Sequence, residues 1–286
     1  MARTLTVECA GHGRGIRFVD GGRPGYRHLG IGGGEAADRG SAAAANRILG
    51  QEAFTCCIEG TLTGGHWLLS GRGQLALTGA DVNWQLDGRP VARYQTIFLD
   101  GQHELRGGTT RGGCRAYVAI RGMWDLPRVL GSVAPGLPGA VEPARGTRFT
   151  VRSESESPYR LFWTEAGEFP QRVAIPVVPG PEWRLLTARQ GEQVLESEYR
   201  VGTASDRQGV RLECNHLPEL NLPELISSPV LPGTVQWTPT GPVLLGPDAQ
   251  TVGGYPRLLL AAPLPDGVFQ LLPGGRVHFA GLTVNP

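Results

Sequence analysis

Apolar and polar residues alternate along several short stretches of the chain. In "RFTVR" (148–152) Phe149 and Val151 share one face, and the arginines and threonine share the other. "RVHFA" (276–280) repeats the pattern, "CRAYVAI" (114–120) sets Cys114, Ala116, Val118 and Ile120 on one side, and "QLALTG" (74–79) aligns Leu75 with Leu77. A period of two in β-branched and aromatic residues predicts strands. Their close spacing between Gly and Pro turns predicts barrels or sandwiches rather than βαβ units. One stretch departs from this. "SAAAANRILG" (41–50) is rich in alanine, which loses little entropy in a helix, so a short helix is expected, capped by Ser41 or Asp38 and closed by Gly50 at C′. A polar, proline-bounded segment at 153–176 precedes a second strand-like run, "RVAIPVVPGPEWRLL". A domain change is expected there, giving domains 1–170 and 171–286.

Composition narrows the chemistry. With 286 residues and 40% hydrophobic content the chain is long and apolar enough to fold. The 43 glycines and 23 prolines have no period of three, so they mark turns and not collagen. All 27 basic residues are arginine. That removes a lysine Schiff base, a lysine general base and a P-loop lysine. Anion recognition falls to arginine, which binds planar anions bidentately, to backbone N–H groups or to a metal. A net charge of +1 and no basic stripe with interleaved aromatics argue against nucleic acid as a partner. The first residues lack a secretory h-region, and no run of about 18 apolar residues predicts a membrane span. The five cysteines form no CxxC, so a structural zinc site is not supported, and reduced thiols in the cytoplasm are expected.

Three polar turns carry the candidate chemistry and are expected to line one site. The first, "GGGEAADRGSAAAANRILG" (32–50), holds Asp38 and Arg39 ahead of the predicted helix and Asn46 within it. The second, "TASDRQGVRLEC" (203–214), holds Asp206 and Arg207. There Asp206 either caps its own turn and pairs with Arg207, or holds the guanidinium while Arg207 clamps a carboxylate or phosphate. In the third, "GPDAQTVGGYPR" (246–257), Asp248 and Gln250 share parity, Gly253 and Gly254 allow close backbone approach, and Tyr255 offers a donor on a rigid ring. The same residues also suit a plain hairpin loop. Glu59, in the apolar stretch "CCIEGTLTGG", needs a partner if buried. It reads as a perturbed acid or base, or as the partner of an arginine. The glycines of "VDGGRPGYRHLGIGGG" do not follow a dinucleotide fingerprint.

The ordered motifs "GRPGYRHLG", "ADRGSAAAANRILG", "CCIEGTLTGG", "ASDRQGVRLEC", "SSPVLPGTVQWTPTGPVLLGPDAQTVGGYPR" and "LLPGGRVHF" resemble the biotin-dependent carboxyltransferase-like family, also called the allophanate hydrolase subunit 2 family. The resemblance runs from about residue 15 to the C-terminus. It implies an all-β fold of two cyclophilin-like β-barrel domains with a few short helices. It also implies the role of the C component in a bacterial ATP-dependent 5-oxoprolinase, cleaving 5-oxo-L-proline to L-glutamate with 5-oxoprolinase subunits A and B. On this reading Glu59, Asp248 and Tyr255 are candidate catalytic residues, and Asp38, Arg39, Asn46, Asp206, Arg207 and Gln250 bind substrate. ATP, with Mg2+ if it is used, comes through the complex, and the chain carries no biotin. The alternatives are a carboxyltransferase component acting on urea or a related small amide, or a non-enzymatic regulatory binding protein.

Overall fold

A computed structural model describes residues 3–11, 15–153, 169–216, 220–261 and 263–281. The chain divides into two compact units, Met1–Arg23 with Gly34–Phe169, and Pro24–Gly33 with Pro170–Pro286. Most of the segment where the domain change is expected, 154–168, lies outside the described residues.

The first unit contains β1 (Arg3–Cys9), β2 (Ile16–Val19), α1 (Arg39–Ile48), β3 (Cys57–Thr61), β4 (Thr63–Asp81) and β5 (Gln85–Leu86). It continues with β6 (Arg89–Pro90), β7 (Thr96–Thr109), β8 (Gly112–Ile120), β9 (Met123–Trp124) and β10 (Arg148–Ser153). These ten strands make one sheet in the order β2-β3-β8-β4-β1-β10-β9, with β7 branching from β4 and carrying β5 and β6. The expectation of two closed barrels is corrected here, because this sheet is open. The reason lies in β4. One of its edges pairs with β7 over 63–76, while the opposite edge is shared end to end by β1 over 67–71 and β8 over 75–81. The sheet forks along that strand, and β2 and β9 end the path without hydrogen-bonding to each other. The fork needs Gly71, at φ +121°, where a Cβ would run into the Thr4 carbonyl oxygen.

The alternation read from the sequence sorts this sheet into two faces. Leu75, Leu77, Ala116, Val118, Ile120, Phe149 and Val151 join one buried cluster, in which Phe18 meets Trp124 and Phe149 edge-on. Each such Val, Leu or Phe contributes about 1.5–3 kcal/mol on burial. Tyr117, Ala119 and Ala76 point the other way and pack with Ala42, Ala45 and Ile48 of α1. Alanines therefore serve α1 twice: they favour the helix and leave room for it to lie close on the sheet. Asp38 is the N-cap, accepting the Ser41 N–H at 2.8 Å, and Gly50 follows the helix at φ +67°.

The second unit contains β11 (Arg172–Pro179), α2 (Ala188–Glu196), β12 (Tyr199–Val201), β13 (Gly209–Glu213), β14 (Ser228–Pro229) and β15 (Thr234–Thr238). It ends with β16 (Gly241–Leu245), β17 (Val252–Gly253), β18 (Arg257–Ala261) and β19 (Arg276–Gly281). Seven strands close a barrel in the order β11-β18-β15-β16-β13-β12-β19, completed by the parallel pairing of β11 with β19. Its buried positions alternate: Val173, Ile175 and Val177 on β11, Val210 and Leu212 on β13, Val277 and Phe279 on β19. Side chains of this kind fill the interior of a small barrel. The α2 helix was not predicted from the sequence. Its start is a capping box in which Thr187 accepts the Gln190 N–H and Gln190 accepts the Thr187 N–H.

Glu182 braces this unit through Arg257, which donates to both of its carboxylate oxygens at 2.9 and 2.7 Å. These charge-assisted bonds hold the Glu182 carboxyl below the usual carboxylate range. A depressed pKa adds stability above the unfolded value and loses it as pH falls through the folded value. Glu182→Gln is therefore expected to lower the Tm at neutral pH. The gap to the wild type should close as the pH is taken down past that lowered pKa, as scanning calorimetry at several pH values would show.

Candidate functional site

The two later polar turns converge on the outer face of the barrel. Register aligns Arg211 of β13 with Val243 of β16, and Val243 with Gln236 of β15. Val210, Leu244 and Val235 form the adjacent row and are buried, so the Arg211–Val243–Gln236 row faces outward. A cavity of about 470 Å3 lies over that row, a size typical of small-molecule sites. Its floor includes Val243 and Leu245, and Asp206 and Gln208 come from the 203–214 turn, Gln250 and Tyr255 from the 246–257 turn. Tyr255 also borders an adjoining cavity of about 380 Å3 lined by Leu222, Pro223 and Trp237.

Several residues of "GPDAQTVGGYPR" have distinct tasks in this geometry. Asp248 takes a bidentate bond from Arg207, with Nε to Oδ2 at 2.7 Å and Nη2 to Oδ1 at 2.9 Å. Gln250 donates to the buried Gln236 amide at 3.1 Å, and the Gln236 amide in turn reaches the Tyr255 carbonyl. Val252 and Gly253 pair with Pro229 and Ser228 in a two-stranded ribbon. Gly253 lies so close to Gln236 that a Cβ would sit 2.5 Å from its Nε2. Gly254 passes the Leu225 carbonyl, 3.0 Å from where a Cβ would lie. The Pro256 carbonyl accepts the Trp237 N–H at 2.8 Å. Arg27, from the "GRPGYRHLG" stretch, donates to the carbonyls of Gln250 at 2.7 Å and Val230 at 3.0 Å, fixing the loop from behind.

Two expectations about this loop pair are corrected. Asp206 does not hold Arg207; its Oδ1 accepts the N–H groups of Gln208 at 2.7 Å and Gly209 at 3.1 Å. With that carboxylate spent on closing its own bend, the guanidinium finds its carboxylate on the other loop. Arg207 itself is buried and is not among the residues lining the cavity. The arginine on the cavity is Arg211, which the sequence pattern did not single out.

The first polar turn and Glu59 belong to the other unit. Glu59 is fully buried, and its Oε2 accepts the Ala37 N–H at 2.9 Å and the Tyr117 hydroxyl at 2.8 Å. The Tyr117 oxygen accepts the Asp38 N–H at 2.8 Å. Burial, and after it the Glu59 charge, push the Tyr117 hydroxyl well above its ordinary pKa. Asn46 is fully buried; its Nδ2 donates to the carbonyls of Ala53 and Thr55 at 3.1 and 2.8 Å, and its Oδ1 accepts from Gln51 at 2.7 Å. These bonds fasten the loop after α1. Arg39 is exposed and stacks over Phe54, 4.4 Å from the ring centroid. The nine nominated residues thus form two groups, one in each unit. Among the described residues, no group of three or more His, Cys, Asp and Glu is placed to hold a metal ion, and no helix is long and apolar enough to cross a membrane.

Residues 29–281 match the family described as carboxyltransferase domain, subdomain A and B. The chain belongs to this carboxyltransferase family. Among curated proteins it is 31% identical over 252 residues to the C subunit of 5-oxoprolinase from Escherichia coli, covering 84% of this chain and 79% of that one. It is 26% identical over 295 residues to urea amidolyase of Saccharomyces cerevisiae, covering 92% of this chain but 16% of that one. Among solved structures, Kluyveromyces lactis urea carboxylase superposes with a TM-score of 0.85 at 24% identity, over 98% of this chain and 27% of that one. That likeness speaks for the fold. The chain spans between 19% and 56% of the length of five solved chains that it matches.

Within this family member, the cavity over the barrel holds three of the residues nominated from the sequence, Asp206, Gln250 and Tyr255. Arg211 was missed because "GVRLE" reads as an ordinary strand with a solvent-facing arginine. Only the cross-strand register places it beside Val243 and Gln236.

Proposed function

We propose that the chain is the C subunit of an ATP-dependent 5-oxoprolinase, working in the cytoplasm with subunits A and B to convert 5-oxo-L-proline to L-glutamate. The observation that carries this reading is the 31% identity to the Escherichia coli protein, which extends over 79% of that protein's length. The barrel cavity, small, polar on its walls and apolar on its floor, suits a compact polar substrate. The chemical difficulty is an unstrained lactam, a poor electrophile. Phosphorylation of the lactam oxygen by ATP makes the ring carbon open to water. Attack by one water breaks the C–N bond and frees the amine, which takes up the proton and leaves the side-chain carboxyl as an acyl phosphate; a second water releases phosphate, so that glutamate, ADP and phosphate are the products. Donors aimed at the developing oxyanion would lower that barrier. ATP, and Mg2+ carried with it, enter through the assembled complex.

A second reading follows from the likeness to urea amidolyase, a carboxyltransferase component that acts on urea or a related amide. The two separate in one experiment. The chain is co-expressed with its partner subunits, and glutamate formation from 5-oxo-L-proline and ATP is measured with and without it. We expect turnover that needs this chain and no biotin. Full turnover in its absence sinks the reading. Biotin-dependent carboxylation of urea, with no glutamate formed, installs the second one.

A further inference from the structure

Two opposite charges face the barrel cavity without neutralising each other. The Arg211 guanidinium and the Asp206 carboxylate both line it, and they form no ion pair with each other or with any described residue. Two other arginines of this unit are closed on carboxylates, Arg207 on Asp248 and Arg257 on Glu182. Asp206 uses Oδ1 on its own turn, which leaves Oδ2 as an acceptor. Gln250 uses its Nε2 on Gln236, which leaves Oε1 as a second acceptor. The side chains of Gln208 and Tyr255 likewise make no hydrogen bond to a described residue and offer donors. Gly209 keeps the floor low, since a Cβ there would sit 2.7 Å from Val243. The walls thus present a cation for an anion, acceptors for an N–H, donors for a carbonyl, and an apolar floor for a few methylenes.

We infer that this cavity binds a small amino-acid derivative through its carboxylate at Arg211 and its N–H at Gln250 and Asp206. Guanidinium and carboxylate match in a planar two-bond fork, which orients the ligand as well as holding it. Asp206 repels a carboxylate placed the other way round, so the polarity of the site selects one orientation. The hydrocarbon edge of the ligand lies on Val243 and Leu245. Naming 5-oxo-L-proline as that ligand rests on the proposed function; the chemical class rests on the cavity.

The test is calorimetric titration of the full chain, alone and in its reconstituted complex, with 5-oxo-L-proline, L-glutamate and 2-pyrrolidinone, which lacks the carboxylate. Arg211 is exposed and makes no side-chain bond to a described residue, so Arg211→Gln should unfold at the wild-type temperature. We expect it to weaken 5-oxo-L-proline at least tenfold, Arg211→Lys to restore part of the loss, and 2-pyrrolidinone to bind weakly and equally to all three. Equal affinity of wild type and R211Q for 5-oxo-L-proline overturns the site, as does the absence of saturable binding in chain and complex alike. A complex that makes no glutamate yet binds a small carboxylate through Arg211 defeats the 5-oxoprolinase reading and keeps the site. An R211Q complex with wild-type KM and kcat does the reverse.

Discussion

Arg207→Ala is expected to destabilise the second unit by about 3 kcal/mol, the cost of stranding one member of a largely buried ion pair. Arg207 is 9% and Asp248 20% exposed at the side chain. Removal of the guanidinium leaves a carboxylate with two lost bonds in a place that water reaches poorly. The same pair ties the 203–214 turn to the 246–257 turn, so loss of the bond loosens two walls of the cavity together. Urea unfolding should show a lower midpoint at an unchanged slope. At about 2–4 °C per kcal/mol for a chain of this class, the Tm falls by roughly 6–12 °C. Replacing both residues by apolar ones of similar volume should recover part of the loss. A stable R207A that has lost only ligand affinity would instead make Arg207 the anion clamp, and would overturn the assignment of that task to Arg211.

The contrast between Arg207 and Arg211 shows what a sequence can carry. Period-two stretches such as 148–152 and 276–280 announce strands and their buried faces, because alternation is a local property of the extended chain. Phe149, Val151, Val277 and Phe279 are buried as that pattern requires. The Asp38 cap and the Gly50 stop are legible for the same reason. Thr187 and Gln190 also wrote a helix start that was there to be read. Closure of a sheet is different. It depends on which strand takes which edge, and nothing local in β4 says that β1 and β8 divide one edge between them. Pairing of charges is non-local in the same way: Asp206 stands next to Arg207 in sequence, but the partner of Arg207 lies 41 residues on. The convergence of the second and third polar turns was legible as a tendency. The arginine that lines their cavity was not, since register alone sets it there.

Glu59→Ala is expected to cost about 3 kcal/mol, and its effect should fall on the seating of α1. The carboxylate is fully buried, and its Oε2 receives a backbone N–H from Ala37 and the hydroxyl of Tyr117. Alanine leaves both donors without that acceptor in a dry interior, at about 1–3 kcal/mol for each unsatisfied group, and opens a void besides. Tyr117 accepts from the Asp38 N–H, so the disturbance passes to the N-cap of the helix. Glu59→Gln keeps an acceptor oxygen in nearly the same place and should lose far less, which denaturant titration of the two variants would show. That difference makes E59Q the variant for activity. If Glu59 serves α1, an E59Q complex retains turnover within about tenfold of the wild type. If Glu59 moves a proton in the reaction, the folded E59Q complex loses about 10²–10⁴-fold in kcat. Burial behind Tyr117 and Ala37 favours the first outcome, because a general base must come within hydrogen-bond reach of the proton it takes.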